Sequence, residues 1–137
     1  YGSPAAVGAA VANRKHGRLT LNIQSDGDLN YAPGVLWTAV HHKIPLLTLV
    51  HNNRGYHQER MYVQMVANKQ NRGIDRSHIG TSFTDPLINY ATMAKSYGMY
   101  SEGPVSDPKD LGPAIKRSLE RVKAGEPALI DVVTQPR

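Results

Sequence analysis

Three segments of this chain carry the hydrophobic patterning of β-strands. Leu19-Thr20-Leu21-Asn22-Ile23 places apolar residues at every second position, the period of a strand. Leu46-Leu47-Thr48-Leu49-Val50 and Ala128-Leu129-Ile130-Asp131-Val132-Val133 are nearly continuous apolar runs, of the sort buried on both faces of a parallel sheet. The intervening segments read as helices. Ala5 to Ala12 is a run of small residues suited to a helix lying close against a sheet. Pro33 fits a first helical turn, followed by a stripe of Val35, Leu36, Ala39 and Val40. Tyr56 to Asn71 predicts a polar helix with Tyr62, Met65 and Val66 at helical spacing and Gly73 as its stop. Residues 74–84 show no period and read as a loop. Asp85-Pro86 predicts the start of a helix with Leu87, Tyr90, Ala91, Ala94 and Tyr97 on one face and Gly98 beyond its end. Met99-Tyr100 opens a short strand. Leu111, Ala114, Ile115, Leu119 and Val122 form a last helical face, whose start Pro113 delays to about Asp110. This alternation predicts an α/β fold with a mainly parallel central sheet and helices on both faces. No repeat or linker interrupts it, so residues 1–137 read as a single domain.

A chain of 137 residues, 40% of them hydrophobic, can bury one real core and is too short for two ordinary domains. The absence of Cys excludes a disulfide framework, a thiolate metal site and a catalytic thiol, and points to a cytoplasmic setting. No apolar run approaches the roughly 20 residues that cross a bilayer, and no segment reads as a signal peptide. No membrane association is expected. A net charge of +5 raises the question of nucleic acid. The basic residues are spread singly from Arg14 to Arg137, with no RNP-like aromatic motif or Cys/His finger. A basic cleft for an anionic small molecule suits this distribution better than nucleic-acid binding.

In a parallel α/β sheet, ligands bind beyond the carboxyl ends of the strands. The residues following the first two strands are Ser25-Asp26-Gly27-Asp28 and Asn52-Asn53-Arg54-Gly55. Both are polar turns, and either alone is a common structural turn. Together they offer a carboxylate and an amide oxygen, hard ligands suited to a Mg²⁺ shared with a phosphorylated cofactor. Gly27 and Asn52 are separated by residues 28–51, a spacer of 24 residues holding one helix and one buried strand. Asp26 lies outside the apolar pattern, so its removal is expected to spare the fold. Trp37 and the Met residues read as packing, and His41 and His42 as surface residues at a helix end. A phosphatase reading, with Asp26 and Asp28 as nucleophile and acid, lacks a recognisable downstream Lys and acidic loop.

With these elements the sequence resembles the thiamine diphosphate (ThDP) enzymes, which carry Gly-Asp-Gly, a spacer of this length, and Asn-Asn. The similarity extends to Leu36-Trp37-Thr38-Ala39, Ile44-Pro45, Pro4-Ala5-Ala6-Val7-Gly8-Ala9-Ala10 and Pro127-Ala128-Leu129-Ile130-Asp131-Val132, and thus covers nearly the whole chain. It points to the ThDP-binding fold of the C-terminal, diphosphate-binding domain in the pyruvate decarboxylase, acetolactate synthase and benzoylformate decarboxylase branch. The resemblance implies that Asp26, Asn53 and the Gly55 carbonyl hold Mg²⁺ against the ThDP diphosphate, with Ser25, Gly27, Asp28 and Tyr56 also at the cofactor. Ser25 stands where the family usually has Gly, and a need there for positive φ would weaken binding.

Asn52 to Glu59 is similar to the Asn-Asn-x-Gly-Tyr-x-x-Glu pattern of pyruvate-type decarboxylases. That similarity implies a proton-handling role for Glu59, with His57 beside it as the other candidate catalytic side chain. Glu59 is equally well read as an exposed carboxylate favoured by a helix dipole. The family acts on 2-oxo acids and builds each active site against a pyrimidine-binding domain, usually from another subunit of a homo-oligomer. That domain supplies the glutamate that activates the cofactor. The chain is therefore expected to be a C-terminal piece of a longer enzyme and inactive by itself. The alternative expectation is a ThDP-binding or assembly module with no activity of its own.

Overall fold

The computed structural model describes residues 1–135. Its elements in chain order are α1 (Gly2–Arg14), β1 (Leu21–Ser25), α2 (Asp26–Leu29), α3 (Val35–His41), β2 (Leu47–Asn52), α4 (His57–Lys69), α5 (Tyr90–Ser96), β3 (Tyr100–Val105), α6 (Pro108–Lys123) and β4 (Ala128–Val133). The strands form one sheet in the order β1-β2-β4-β3, and every pairing is parallel. This is the α/β architecture that the alternation of periods predicts.

The sheet separates two cores. On one face Val50 and Leu129 meet Val7 and Ala10 of α1, Leu36 and Ala39 of α3, and Tyr90 and Ala94 of α5. On the other, Leu47, Ala128 and Ile130 meet Ala114 and Val122 of α6. Leu47, Leu129 and Ile130 are fully buried, each stabilising the fold by about 1.5–3 kcal/mol. That explains why β2 and β4 read as continuous apolar runs, since helices cover both of their faces.

β1 behaves differently. Its period of two is real, yet the polar residues Asn22 and Gln24 face inward while Leu21 and Ile23 face out, Ile23 with 73% of its surface exposed. The inward polar groups are paired. Ser3 Oγ of α1 donates to Gln24 Oε1 at 2.8 Å, and Asn22 Nδ2 donates to Thr48 Oγ1 of β2 at 3.5 Å; just before the strand, Asn13 Nδ2 of α1 donates to Thr20 Oγ1 at 3.2 Å. Small residues of α1 thus bring its backbone close enough for a polar contact with the edge strand. The opposite face of β1 has no helix over it among the described residues.

Several element boundaries differ from the sequence expectation by a few residues, β1 running Leu21–Ser25 and Asp26–Leu29 forming a helical turn among them, and three in the second half of the chain show a local reason. The helix expected from Asp85-Pro86 begins at Tyr90, because the Asn89 side chain accepts from Thr92 N at 2.7 Å and caps it there; Leu87 lies outside it and is exposed. The short strand at Met99-Tyr100 extends to Val105, paired to β4 with an irregularity after Glu102. The last helix starts at Pro108, with Asp107 accepting from Lys109 N at 2.9 Å, and Pro at the first helical position needs no donor. Pro113 is accommodated inside that helix. Trp37 is not core packing: it is 52% exposed and stacks on His41 with 4.7 Å between ring centroids. His41 and His42 are exposed, as expected.

Candidate functional site

The carboxyl ends of β1 and β2 lie side by side, since Ser25 pairs with His51. Chain reversal after each strand therefore brings the two polar turns together. Asp26, only 1% exposed, spans them. Its Oδ1 accepts from its neighbour Gly27 N at 2.8 Å. Its Oδ2 accepts from Arg54 N at 2.6 Å and Gly55 N at 3.2 Å, reaching 28 and 29 residues along the chain. The expectation that Asp26 could be removed without cost to the fold is thereby corrected. Three backbone donors depend on this carboxylate, and a buried donor left unpaired costs about 1–3 kcal/mol.

Asn53 presents the complementary feature. Its Oδ1 is buried and has no hydrogen-bond partner among the described residues, which is unusual for a folded protein. No group of three His, Cys, Asp or Glu that could hold a metal occurs among the described residues. One carboxylate, one amide oxygen and carbonyls of the same turn fit a hard cation that takes its remaining ligands from phosphate.

Two glycines are dictated by contact. A Cβ on Gly27 would collide with the Tyr56 ring, and one on Gly55 with the Thr81 carbonyl. The Tyr56 hydroxyl donates to Gly27 O at 3.1 Å, and its ring packs edge-on to Phe83 at 4.8 Å. Burial, then a hydrogen bond with Tyr31, pushes the Tyr56 phenol above its ordinary range, so it remains a neutral donor. The loop after α4 closes on this turn: Tyr56 N donates to Thr81 O at 2.8 Å and Phe83 N to Arg54 O at 2.9 Å. Ser25 has φ −69° and ψ 149°, ordinary extended backbone, so the residue in place of Gly imposes no strain. Its hydroxyl donates to Asp28 Oδ2 at 2.7 Å, at the exposed rim of the first turn.

The candidate catalytic side chains are placed unequally. His57 turns back onto the β2 turn, its Nε2–H donating to Asn53 O at 2.9 Å. Glu59 stands exposed in the first turn of α4, with no hydrogen bond or ion pair to its carboxylate among the described residues. It is not brought together with Asp26 and Asn53 by any contact within this chain.

Beneath the turns lies a polar group that pattern reading passed over. Asp131 of β4 is 0% exposed. Its Oδ1 accepts from Asn52 Nδ2 at 2.9 Å and its Oδ2 from Tyr90 N at 3.0 Å. The Tyr90 hydroxyl in turn accepts from Asn30 Nδ2 at 3.1 Å. Burial pushes the Asp131 carboxyl above its ordinary value, opposed by the bonds from Asn52 and the α5 backbone, and pushes Tyr90 up to about 12. The signal available in sequence was a single carboxylate inside an otherwise apolar run, Ala128 to Val133.

Known proteins bear on this arrangement at three levels. The chain is similar to benzoylformate decarboxylase of Pseudomonas aeruginosa, with 28% identity over 135 residues, covering 98% of this chain and 23% of that protein. It is similar to the acetolactate synthase large subunit of Buchnera aphidicola, 25% identical over 132 residues, covering 96% of this chain and 21% of that protein. The solved structure of a Rhodococcus jostii thiamine diphosphate-dependent 4-hydroxybenzoylformate decarboxylase superposes with a TM-score of 0.79 at 28% identity, over 99% of this chain and 23% of its own. The chain thus spans about a quarter of the length of the relatives it matches. Residues 1–132 match the family described as thiamine pyrophosphate enzyme, C-terminal TPP binding domain, and it is to this cofactor-binding family that the chain belongs.

Proposed function

We propose that the intact protein carrying this chain is a ThDP- and Mg²⁺-dependent enzyme acting on a 2-oxo acid, with residues 1–137 as its diphosphate- and metal-binding domain. Asp26, Asn53 and the Gly55 carbonyl hold Mg²⁺. Ser25, Gly27, Asp28 and Tyr56 border the diphosphate. The observation that carries this reading is the buried, unpartnered Oδ1 of Asn53 beside the buried Asp26 carboxylate that ties both turns. All three donors are oxygens of the kind Mg²⁺ takes. Similarity to benzoylformate decarboxylase and acetolactate synthase supports a 2-oxo acid substrate, with either simple decarboxylation or carboligation as the outcome.

When bound, ThDP supplies a nucleophilic carbon and an electron sink for the loss of CO₂. The chain's own residues hold the diphosphate end and fix its orientation, which is where positioning contributes to rate. Glu59, exposed at the start of α4, serves as a proton carrier once a second wall covers it. His57 acts on the Asn53 main chain and positions the turn. That second wall is a pyrimidine-binding domain of the same or another subunit, in a homo-oligomer.

Calorimetric titration of the intact protein with ThDP, with and without Mg²⁺, combined with CO₂ release from pyruvate and benzoylformate, tests this. ThDP uptake that requires Mg²⁺, together with CO₂ release, is the expected result. Glu59→Gln is expected to slow CO₂ release by about 10²–10⁴-fold, the usual worth of general acid–base assistance, while leaving cofactor affinity near the parent value. The 137-residue chain by itself is expected to release none. No ThDP uptake at saturating Mg²⁺ would overturn the reading; uptake without turnover would reduce the protein to a cofactor-binding module.

A further inference from the structure

The half-buried Asn30 and the buried Tyr90, Asp131 and Asn52 form a continuous path between the two turns of the candidate cofactor site. Asn30 closes α2, the helical turn that begins with Asp26. Its amide donates to the Tyr90 hydroxyl at 3.1 Å. Tyr90 opens α5, and its backbone N–H donates to Asp131 Oδ2 at 3.0 Å. Asp131 Oδ1 then accepts from the amide of Asn52 at 2.9 Å. Asn52 immediately precedes Asn53, and its own carbonyl accepts from Thr134 N at 2.9 Å. Both oxygens of one buried carboxylate are thus used, one toward each turn.

We propose that Asp131 is a positioning residue, which fixes the β2 turn through Asn52 and the α2 turn through Tyr90 and Asn30, so that Asn53 Oδ1 and Asp26 face a common cation. The inference rests on the ThDP and Mg²⁺ reading above and adds to it a residue outside both turns. Direction of the donors is the physical reason for a carboxylate here. Asn52 and the α5 terminus both present N–H groups in this arrangement, and a carboxylate accepts from both at once without Asn52 having to turn its amide. An amide in its place would turn an NH₂ group toward one of these donors. The displaced side would then move Asn52 or the start of α5, and with it one of the two turns.

A buried carboxylate without a cationic partner is costly, and no salt bridge of Asp131 occurs among the described residues. A simple helix cap does not require burial: Asn89 and Asp107 cap α5 and α6 from exposed positions. Asp131 differs from them in joining two turns rather than one helix end.

The test uses the intact protein and reads Mg²⁺-dependent ThDP affinity by calorimetry alongside thermal unfolding. Asp131→Asn is expected to weaken ThDP binding about 10- to 100-fold, the scale seen when outer residues that orient metal ligands are changed. Asn52→Ala cuts the path on one side and Tyr90→Phe on the other, and each is expected to weaken binding several-fold. Asn52→Ala combined with Asp131→Asn is expected to cost little more than Asp131→Asn alone, because both act on one path. Val122→Ala is the control for structural damage: it truncates a buried side chain of α6 in the core on the other face of the sheet, with no bond to Asn30, Tyr90, Asp131 or Asn52. It is expected to lower the unfolding temperature without changing ThDP affinity. Should Asp131→Asn not fold, Asn52→Ala and Tyr90→Phe decide. Parent-like affinity in the folded path variants, or an equal loss in Val122→Ala, would overturn the positioning role. Failure of the unmodified protein to take up ThDP would instead remove the functional reading beneath it.

Discussion

The β1 and β2 turns and helix α4 are neighbours in sequence and opposites in construction. In the turns, Asp26 is buried with both oxygens bonded, and two glycines are held against Tyr56 and Thr81. In α4, thirteen residues form a helix with not one of them buried, and Met61, Tyr62, Val63 and Met65 are exposed. One region is finished by contacts within this chain. The other has a helix's backbone bonding and two side-chain bonds, from His57 to Asn53 O and from Gln64 to Ser77 Oγ, but no buried apolar face, although most helical stability in proteins comes from a packed face. Under the proposed function the contrast separates two tasks: the turns form the rigid end proposed for metal and phosphate, whereas the surface bearing Glu59 is the one proposed to receive a second wall.

The largest effect expected from breaking this contrast lies at Asp26. Asp26→Asn leaves one acceptor oxygen where the carboxylate had two and removes a charge from the cation. Mg²⁺-dependent ThDP affinity is expected to fall by about 100-fold or more, the direct loss exceeding that for outer residues. Stability is expected to fall as well, by about 1–3 kcal/mol for a backbone donor left unpaired. Calorimetry and chemical unfolding on the same sample read both. Loss of affinity with full stability would mean that the bonds to Arg54 and Gly55 contribute nothing to the fold.

Asn53→Ala separates binding from folding in the other direction. Its Oδ1 has no partner to lose, and an unsatisfied buried oxygen is itself unfavourable. Affinity is expected to drop about tenfold, less than for Asp26 because a neutral amide attracts a cation less strongly than a carboxylate. The unfolding temperature is expected to stay level or rise. A large destabilisation would show that the Asn53 side chain is structural.

How much of this was legible in the sequence depended on whether a residue acts locally or across the chain. β2 and β4 were readable because burial on both faces leaves a continuous apolar run, and the turns because they follow the strand patterns of β1 and β2. The polarity of β1 was not, since a period of two fixes alternation without saying which side faces the core. Here the polar side is inward, where Ser3 of α1 bonds Gln24 and Thr48 of β2 accepts from Asn22. The start of α5 was misread because Asp85-Pro86 and Asn89 are both respectable starts, and only the bond to Thr92 selects Asn89. Asp26 looked dispensable because its partners lie 28 and 29 residues away, beyond the range of any local pattern. Asp131 was visible as an oddity in an apolar strand; its meaning needed Asn52 and Tyr90 beside it.

Amide hydrogen exchange resolves the same contrast residue by residue without any substitution. Amides of α4 are expected to exchange much faster than those of β2, because opening an unpacked helix exposes little apolar surface. Residues 81–83 are expected to be slower than α4 despite lying in a loop, since the Tyr56 N and Phe83 N bonds tie that loop to the β2 turn. Uniform protection from Tyr56 to Phe83 would erase the distinction between the two regions.

The smallest expected effect concerns the exposed face of α4. Met65 is 45% exposed and belongs to neither core cluster. Met65→Ser in the 137-residue chain therefore removes little buried area, and surface changes of this kind shift stability by no more than about 0.5 kcal/mol. Serine's slightly lower helix propensity acts in the same small range. Denaturant unfolding of the chain should thus give nearly superimposable curves for the parent and this variant. In the intact protein the same substitution becomes informative, because a wall docked on α4 would bury Met65. Truncating a large buried apolar side chain destabilises by about 2–5 kcal/mol, so a loss of that size confined to the intact protein would identify α4 as a covered surface. A loss of that size in the 137-residue chain would instead mean that α4 is packed within the domain, and the contrast between the finished turns and the unfinished helix would fail.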